Sequence, residues 1–143
     1  MEGKVFIDAE DAILGRLASK AAKLALEGKE VIIFNAEKAV ISGKKKAIVN
    51  EVKRKLETRT LASVEKSPKH PRRPDLYVRR VIRGMLPWKK PKGKNAYKKV
   101  KVYIGIPEDF TGKLIKIPEV DSSKLKCKKI KVEELSKEVG GLK

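Results

Sequence analysis

VFIDAEDAILGRLASKAAKLALEGKEVIIF, residues 5–34, decides the fold. Val5-Phe6-Ile7 reads as a short strand, and Asp8 to Asp11 as a turn. The spacing then predicts a helix over about 12–27, with Asp11 as its N-cap and Gly28 in the left-handed position after its end. At 100° per residue, Arg16, Ser19, Lys20 and Lys23 fall in one narrow arc, and the rest of the helix is apolar or small. So thin a polar stripe marks a largely buried helix. Gly15 and Ala18 would let it lie close to a sheet. Val31 to Phe34 is a continuous apolar run of β-preferring residues, the pattern of a strand covered on both faces. Strand, helix and strand in about thirty residues make a βαβ unit, with a right-handed crossover expected.

The elements downstream extend this unit. Val40-Ile41 reads as a further short strand, and Ser42 as the cap of a helix over about 43–57 whose Ile48, Val49, Val52 and Leu56 share one face. Residues 58–74 read as irregular, broken by Pro68, Pro71 and Pro74. Pro74 suits the first position of another helix, with Asp75 in its first turn and Gly84 at its end. Tyr77, Val78, Val81, Ile82 and Met85 cover one side of that helix; Arg79, Arg80 and Arg83 cover the other. Gly84 to Gly93 reads as a basic loop punctuated by Pro and Gly. A short helix at 94–99, a strand at 100–106, a strand near 130–132 and a helix to about 139 complete the reading.

The chain has 143 residues, enough for one domain with a substantial core, and 41% of them are hydrophobic. Its single cysteine, Cys127, excludes an intrachain disulfide and favours a reducing compartment. The start, MEGKVFIDAED, has no apolar core of a secretory signal, and no apolar run approaches membrane-spanning length. A soluble cytoplasmic protein with no membrane partner is the expectation.

The net charge is +18, and it is unevenly spread. Residues 1–41 carry 6 Lys and Arg against 7 Asp and Glu; residues 42–101 carry 21 against 4; residues 102–143 carry 9 against 7. A surface made only for solubility would mix the signs. Concentrating one sign creates self-repulsion that a polyanion relieves, and nucleic acid is the expected partner.

Enzymatic readings fail on missing parts. Ser42-Gly43-Lys44-Lys45 lacks the first Gly and the final Ser or Thr of a phosphate-binding loop, and Leu14-Gly15-Arg16 has one Gly where a dinucleotide fingerprint needs three. His70 is the only histidine, without an acid nearby to orient it. It and Cys127 are too few for a zinc site, so no metal, cofactor or small-molecule substrate is expected. His70 reads as a loop residue and Cys127 as a small strand residue.

The binding candidates are cationic. Lys44, Lys45 and Lys46 open a helix, where backbone N–H groups and side chains could grip one phosphate. Arg79, Arg80 and Arg83 form a helix face with no Glu to neutralise it, and Arg72 and Arg73 lie just upstream. Arg presents a planar fork that matches phosphate oxygens and stacks on bases. Lys89, Lys90, Lys92 and Lys94 lie in the basic loop, followed by Lys98 and Lys99. Trp88 reads either as the anchor of that loop, with Met85 and Leu86, or as a stacking platform for an unpaired base; the anchor is preferred.

Three segments carry a family likeness: IDAEDAILGRLAS (7–19), VIIFNAEKAVISG (31–43) and HPRRPDLYVRRVIRGMLPWKKPKGKNAYKKVKVYIGIP (70–107). Together they resemble the large-subunit ribosomal protein L-thirteen family, and GMLPWKKPKG is similar to its archaeal and eukaryotic branch. The resemblance implies a single three-layer α/β/α domain over 1–143 with a mainly parallel, about four-stranded sheet. The charge distribution marks a basic RNA-facing part at about 42–101, with its extended loop, and the tail at about 110–143 reads as a C-terminal extension. The resemblance also implies burial in large-subunit rRNA beside neighbouring ribosomal proteins, a part in subunit assembly, and no catalysis. The rival readings are an RNA-modifying enzyme with a basic substrate face and a general nucleic-acid-binding protein.

Overall fold

The structure, a computed structural model, describes residues 3–142. Strand β1 (Lys4–Asp8) runs into helix α1 (Leu14–Leu26) and returns as strand β2 (Glu30–Phe34). The two strands pair in parallel, with Val5 opposite Val31 and Ile7 opposite Ile33. On the other edge of β2 lies strand β4 (Val100–Val102), also parallel, with Val31 opposite Val100. The expected βαβ unit is therefore present, and β2 is the central strand.

The sheet has three full strands, and a fourth position is held by one residue. Ile115 bridges Ile7 in parallel: its N–H donates to the Phe6 carbonyl at 2.9 Å, and its carbonyl accepts from Asp8 N–H at 3.1 Å. The Val40-Ile41 strand joins a different sheet. As β3 (Val40–Ser42) it pairs antiparallel with β5 (Lys129–Lys131). β4 is shorter than the expected 100–106.

Alternation along the parallel strands sends Val5, Ile7, Val31, Ile33 and Val100 to one face. There they meet Leu17, Ala18 and Ala21 of α1 and Val78 and Ile82 of α3 (Pro74–Gly84). Leu17, Ile33, Val78 and Ile82 have no exposed surface, and burying each such side chain is worth roughly 1.5–3 kcal/mol. On the opposite face the cover is aromatic. The Phe110 ring lies 4.9 Å from Phe6 and 4.8 Å from Phe34. The flanking layers are thus helical on one side and an aromatic loop on the other.

Helix α1 keeps the predicted polar stripe, with Arg16, Ser19 and Lys23 exposed. Its start differs. Asp11 stands at φ 55° and caps nothing; Ile13 occupies the N-cap position. Backbone bonds hold the preceding turn in place of a side-chain cap, Ile13 N–H to Val120 O at 2.7 Å and Ser122 N–H to Asp11 O at 2.8 Å. Gly15 is exposed, so the close approach to the sheet falls to Ala18. Gly28, at φ 97°, follows the helix as expected.

Ser42 likewise does not cap helix α2 (Lys45–Glu57). Strand pairing with Lys129 takes it, and Lys44 becomes the N-cap residue without a side-chain cap. Val49 of α2 packs with Ile130 and with Leu135 and Val139 of α5 (Val132–Val139) in a second small core. The C-terminal segment is therefore woven into the fold, supplying the Ile115 bridge, β5 and α5. Among the described residues, no helix is long and apolar enough to cross a membrane.

Candidate nucleic-acid interface

The segment expected as an extended basic loop is compact. Helix α4 runs from Pro91 to Lys98, so Lys92 and Lys94 are helical and the connection from α3 is only residues 85–90. Pro91 at the first helical position starts α4 early. Gly93 explains how tightly it seats. A Cβ there would lie 2.1 Å from the Pro87 carbonyl oxygen and 2.4 Å from its carbon. Only a residue without a side chain lets the first turn of α4 close against Pro87.

The apolar patch inside this charge has a clear use. The Trp88 ring meets the Tyr97 ring edge-on, with centroids 5.1 Å apart and planes at 88°. The Arg83 guanidinium sits 3.9 Å from the Trp88 centroid, and the Arg79 guanidinium 4.5 Å from that of Tyr97. The four side chains form a ladder, Arg83–Trp88–Tyr97–Arg79, that ties α3 to α4. Each cation–π contact contributes about 0.5–1 kcal/mol at an exposed site. The consequence for charge is larger than that figure suggests. The guanidinium groups are oriented without a carboxylate, so their positive charge is retained. Trp88 is thus the anchor that the sequence favours, and Tyr97 is a member of the site that the sequence reading missed. Its signal was an aromatic residue inside the Lys-rich run 94–99.

The remaining candidates separate into groups. Arg80, Lys89, Lys90, Lys94 and Lys98 are exposed, and Lys92 borders a hollow with Lys23 of α1. Arg72 serves the fold: Nη1 donates to the Val139 carbonyl at the end of α5 at 3.0 Å, and the Arg72 carbonyl accepts from Ser136 Oγ at 2.6 Å. A cation is favourable at that helix end. Arg73 pairs with Asp75 at 3.1 Å. Lys99 Nζ donates to the Gly28 carbonyl just beyond α1 at 3.1 Å. Lys44, Lys45 and Lys46 are exposed at the start of α2, where Lys45 pairs with Glu138 at 3.3 Å. They lie apart from the groove where α2 meets α3. Lys55 marks that junction, about 17 Å along the α2 axis from Lys44 at 1.5 Å per residue. Among the described residues, Lys44, Lys46, Arg79, Arg80, Arg83, Lys89, Lys90, Lys92, Lys94 and Lys98 have no carboxylate partner.

The N-terminal third is electrically different. Lys4 and Lys101 flank Glu30, Lys20 meets Glu119, and Lys38 meets Glu10. Asp8 is buried at the end of β1. Burial pushes its carboxyl pKa up, but bonds from Asn35 Nδ2 at 2.9 Å and Glu10 N–H at 3.0 Å, with Lys116 beside it, hold it below the ordinary carboxylate value. Among the described residues, paired cations in the N-terminal third and unpaired ones on α3, the 85–90 turn and α4 concentrate the net positive charge on those later elements. Cys127 is exposed just before β5, rather than facing into a strand.

The model of the family described as Ribosomal protein L13 matches residues 2–109. The chain belongs to the ribosomal protein L13 family. Similar proteins named large ribosomal subunit protein uL13 include that of Methanocaldococcus jannaschii, 49% identical over 136 residues, covering 94% of this chain and 96% of the relative. That of Saccharolobus solfataricus is 48% identical over 141 residues, covering 97% and 94%. The Methanopyrus kandleri protein is 44% identical over 138 residues, covering 94% and 85%. These relatives are archaeal, in accord with the branch that GMLPWKKPKG suggests. The L13 family match ends near the Phe110 loop, yet the alignments with whole relatives extend through most of the C-terminal segment that supplies β5 and α5.

Proposed function

We propose that this chain is a non-catalytic structural constituent of the large ribosomal subunit that binds rRNA and supports subunit assembly in the cytoplasm. The observation that carries the reading is the ladder of α3 and α4. It holds Arg79 and Arg83 in fixed orientation with no carboxylate partner among the described residues, on the same two helices and connecting turn that carry the exposed Arg80, Lys89, Lys90, Lys94 and Lys98. A fixed array of unneutralised cations fits a partner with closely spaced phosphates. Arg72, Arg73 and Lys99 act in the fold as well, so α3, the 85–90 turn and α4 form the primary surface and Lys44 to Lys46 a secondary one. The charge-balanced N-terminal third suits neighbouring ribosomal proteins.

Competition for the purified protein between deproteinised large-subunit rRNA and duplex DNA tests this reading at a fixed, stated salt concentration. The expected result is a clear preference for the folded rRNA. Equal affinity for both would favour a general nucleic-acid-binding protein instead. Turnover of rRNA with a common cofactor, abolished by one side-chain change, would favour an enzyme.

A further inference from the structure

Arg80 differs from its two neighbours on α3. Arg79 and Arg83 are stacked on Tyr97 and Trp88, whereas Arg80 turns to the other side and lines a groove between α2 and α3. Val52 and Lys55 of α2, His70 and Pro71 of the connecting segment, and Tyr77 and Val81 of α3 complete its walls. We propose that this groove receives one unstacked nucleobase of the bound RNA, with Arg80 on the phosphate beside it. The inference rests on the rRNA-binding reading and deepens it: His70 and Tyr77 join the interface, and single-stranded or bulged RNA becomes the partner at this point.

Three features carry it. The first is the lining. Val52, Pro71 and the half-buried Tyr77 ring offer apolar and aromatic surface to a flat ligand, and bases gain stability by leaving water for such surface. The second is the size. The groove encloses about 190 Å³, room for one ring system and too little for a strand or helix. The third is the rim. Arg80 has no carboxylate partner among the described residues, and Glu51 is engaged by Lys55 at 3.1 Å on the exposed surface of α2. An aromatic side chain of a protein partner would suit the lining but leave Arg80 unneutralised. A nucleotide satisfies the lining and the rim together, because it carries its anion beside its ring.

Short-wavelength ultraviolet crosslinking of the full-length protein to deproteinised large-subunit rRNA, followed by mass spectrometry of nuclease- and protease-treated adducts, tests the proposal. A nucleotide adduct on Tyr77 or His70 is expected. Val81→Phe, which fills the groove with an uncharged ring, should weaken rRNA binding about 5- to 150-fold, the effect of losing one stacked base. The salt dependence should stay the same, because no cation is removed. Adducts confined to residues outside the groove would overturn the proposal, as would wild-type affinity in a folded Val81→Phe protein. If that variant does not fold, the crosslinks on the wild-type chain decide alone. Failure of the protein to bind rRNA at all would remove the functional reading with it; binding without a groove adduct removes only this inference.

Discussion

Gly93→Ala sets two effects of opposite sign against each other. Gly93 lies in the first turn of α4, and replacing Gly by Ala inside a helix ordinarily stabilises by about 1 kcal/mol. Here the added methyl would stand 2.1 Å from the Pro87 oxygen, 2.4 Å from its carbonyl carbon and 3.0 Å from its Cγ. The first two are backbone atoms, so no side-chain rotation relieves the contact. Either α4 or the 85–90 turn must move. Overpacking of this kind costs roughly 1–3 kcal/mol, and an approach this close belongs at or beyond the upper end. The net effect is a destabilisation of about 2 kcal/mol or more, concentrated where α4 meets the turn. Trp88 is the only tryptophan and sits in the ladder beside that contact. Its fluorescence therefore reports locally, while far-ultraviolet circular dichroism reports the whole chain. In urea, the fluorescence midpoint of Gly93→Ala should fall more than the dichroism midpoint. A variant as stable as the parent, or more stable by the helix-propensity increment, would refute the close seating of α4 and with it the rigid ladder.

Arg72→Gln should loosen the end of α5 by removing the bond to the Val139 carbonyl while the Ser136 bond to the residue 72 backbone remains, lowering stability by about 1 kcal/mol. Amide exchange should speed up in α5 but not in α1, and uniform exchange changes would contradict the clamp. Asp8 has a folded pKa below its unfolded value, so its contribution to stability is complete above the ordinary value near 3.9 and is lost as pH falls through the folded value. The stability gap between the parent and Asp8→Asn should therefore be constant near neutral pH and shrink in that acid window. A gap that does not change with pH would show that the Asn35 and Glu10 bonds do not favour the carboxylate.

The parts of the fold that were legible in the sequence rest on periodicity. The narrow polar arc of Arg16, Ser19, Lys20 and Lys23 and the run Val31 to Phe34 located α1 and β2, since a buried helix and a buried central strand leave few alternatives in composition. The Arg and apolar sides of α3 were legible for the same reason. What was hidden depends on partners distant in sequence. Asp11 and Ser42 have the right chemistry for caps, but backbone pairing with Ser122 and Lys129, more than eighty residues away, claims both positions. The stacking of Tyr97 on Arg79 and the engagement of Arg72 by α5 are tertiary contacts of the same kind. The loop at 84–93 misled through its Pro and Gly, which read as breakers. Pro91 starts a helix, and Gly93 permits a close approach that only the folded backbone reveals.

The salt dependence of rRNA affinity separates binding through the α3–α4 cations from attraction by diffuse charge. If about six to ten phosphates are contacted, log K should fall against log[salt] with a slope between roughly −4 and −9. Replacing Arg79, Arg80 and Arg83 together with Gln should flatten that slope by about two to three units, with little change in circular dichroism. The matched control is Lys4, Lys20 and Lys29 changed to Gln, since each is already paired with an acid, Glu30, Glu119 and Glu27. The control should leave the slope nearly untouched. Equal flattening by both triples would contradict it, leaving a cationic particle attracted to RNA without a defined face.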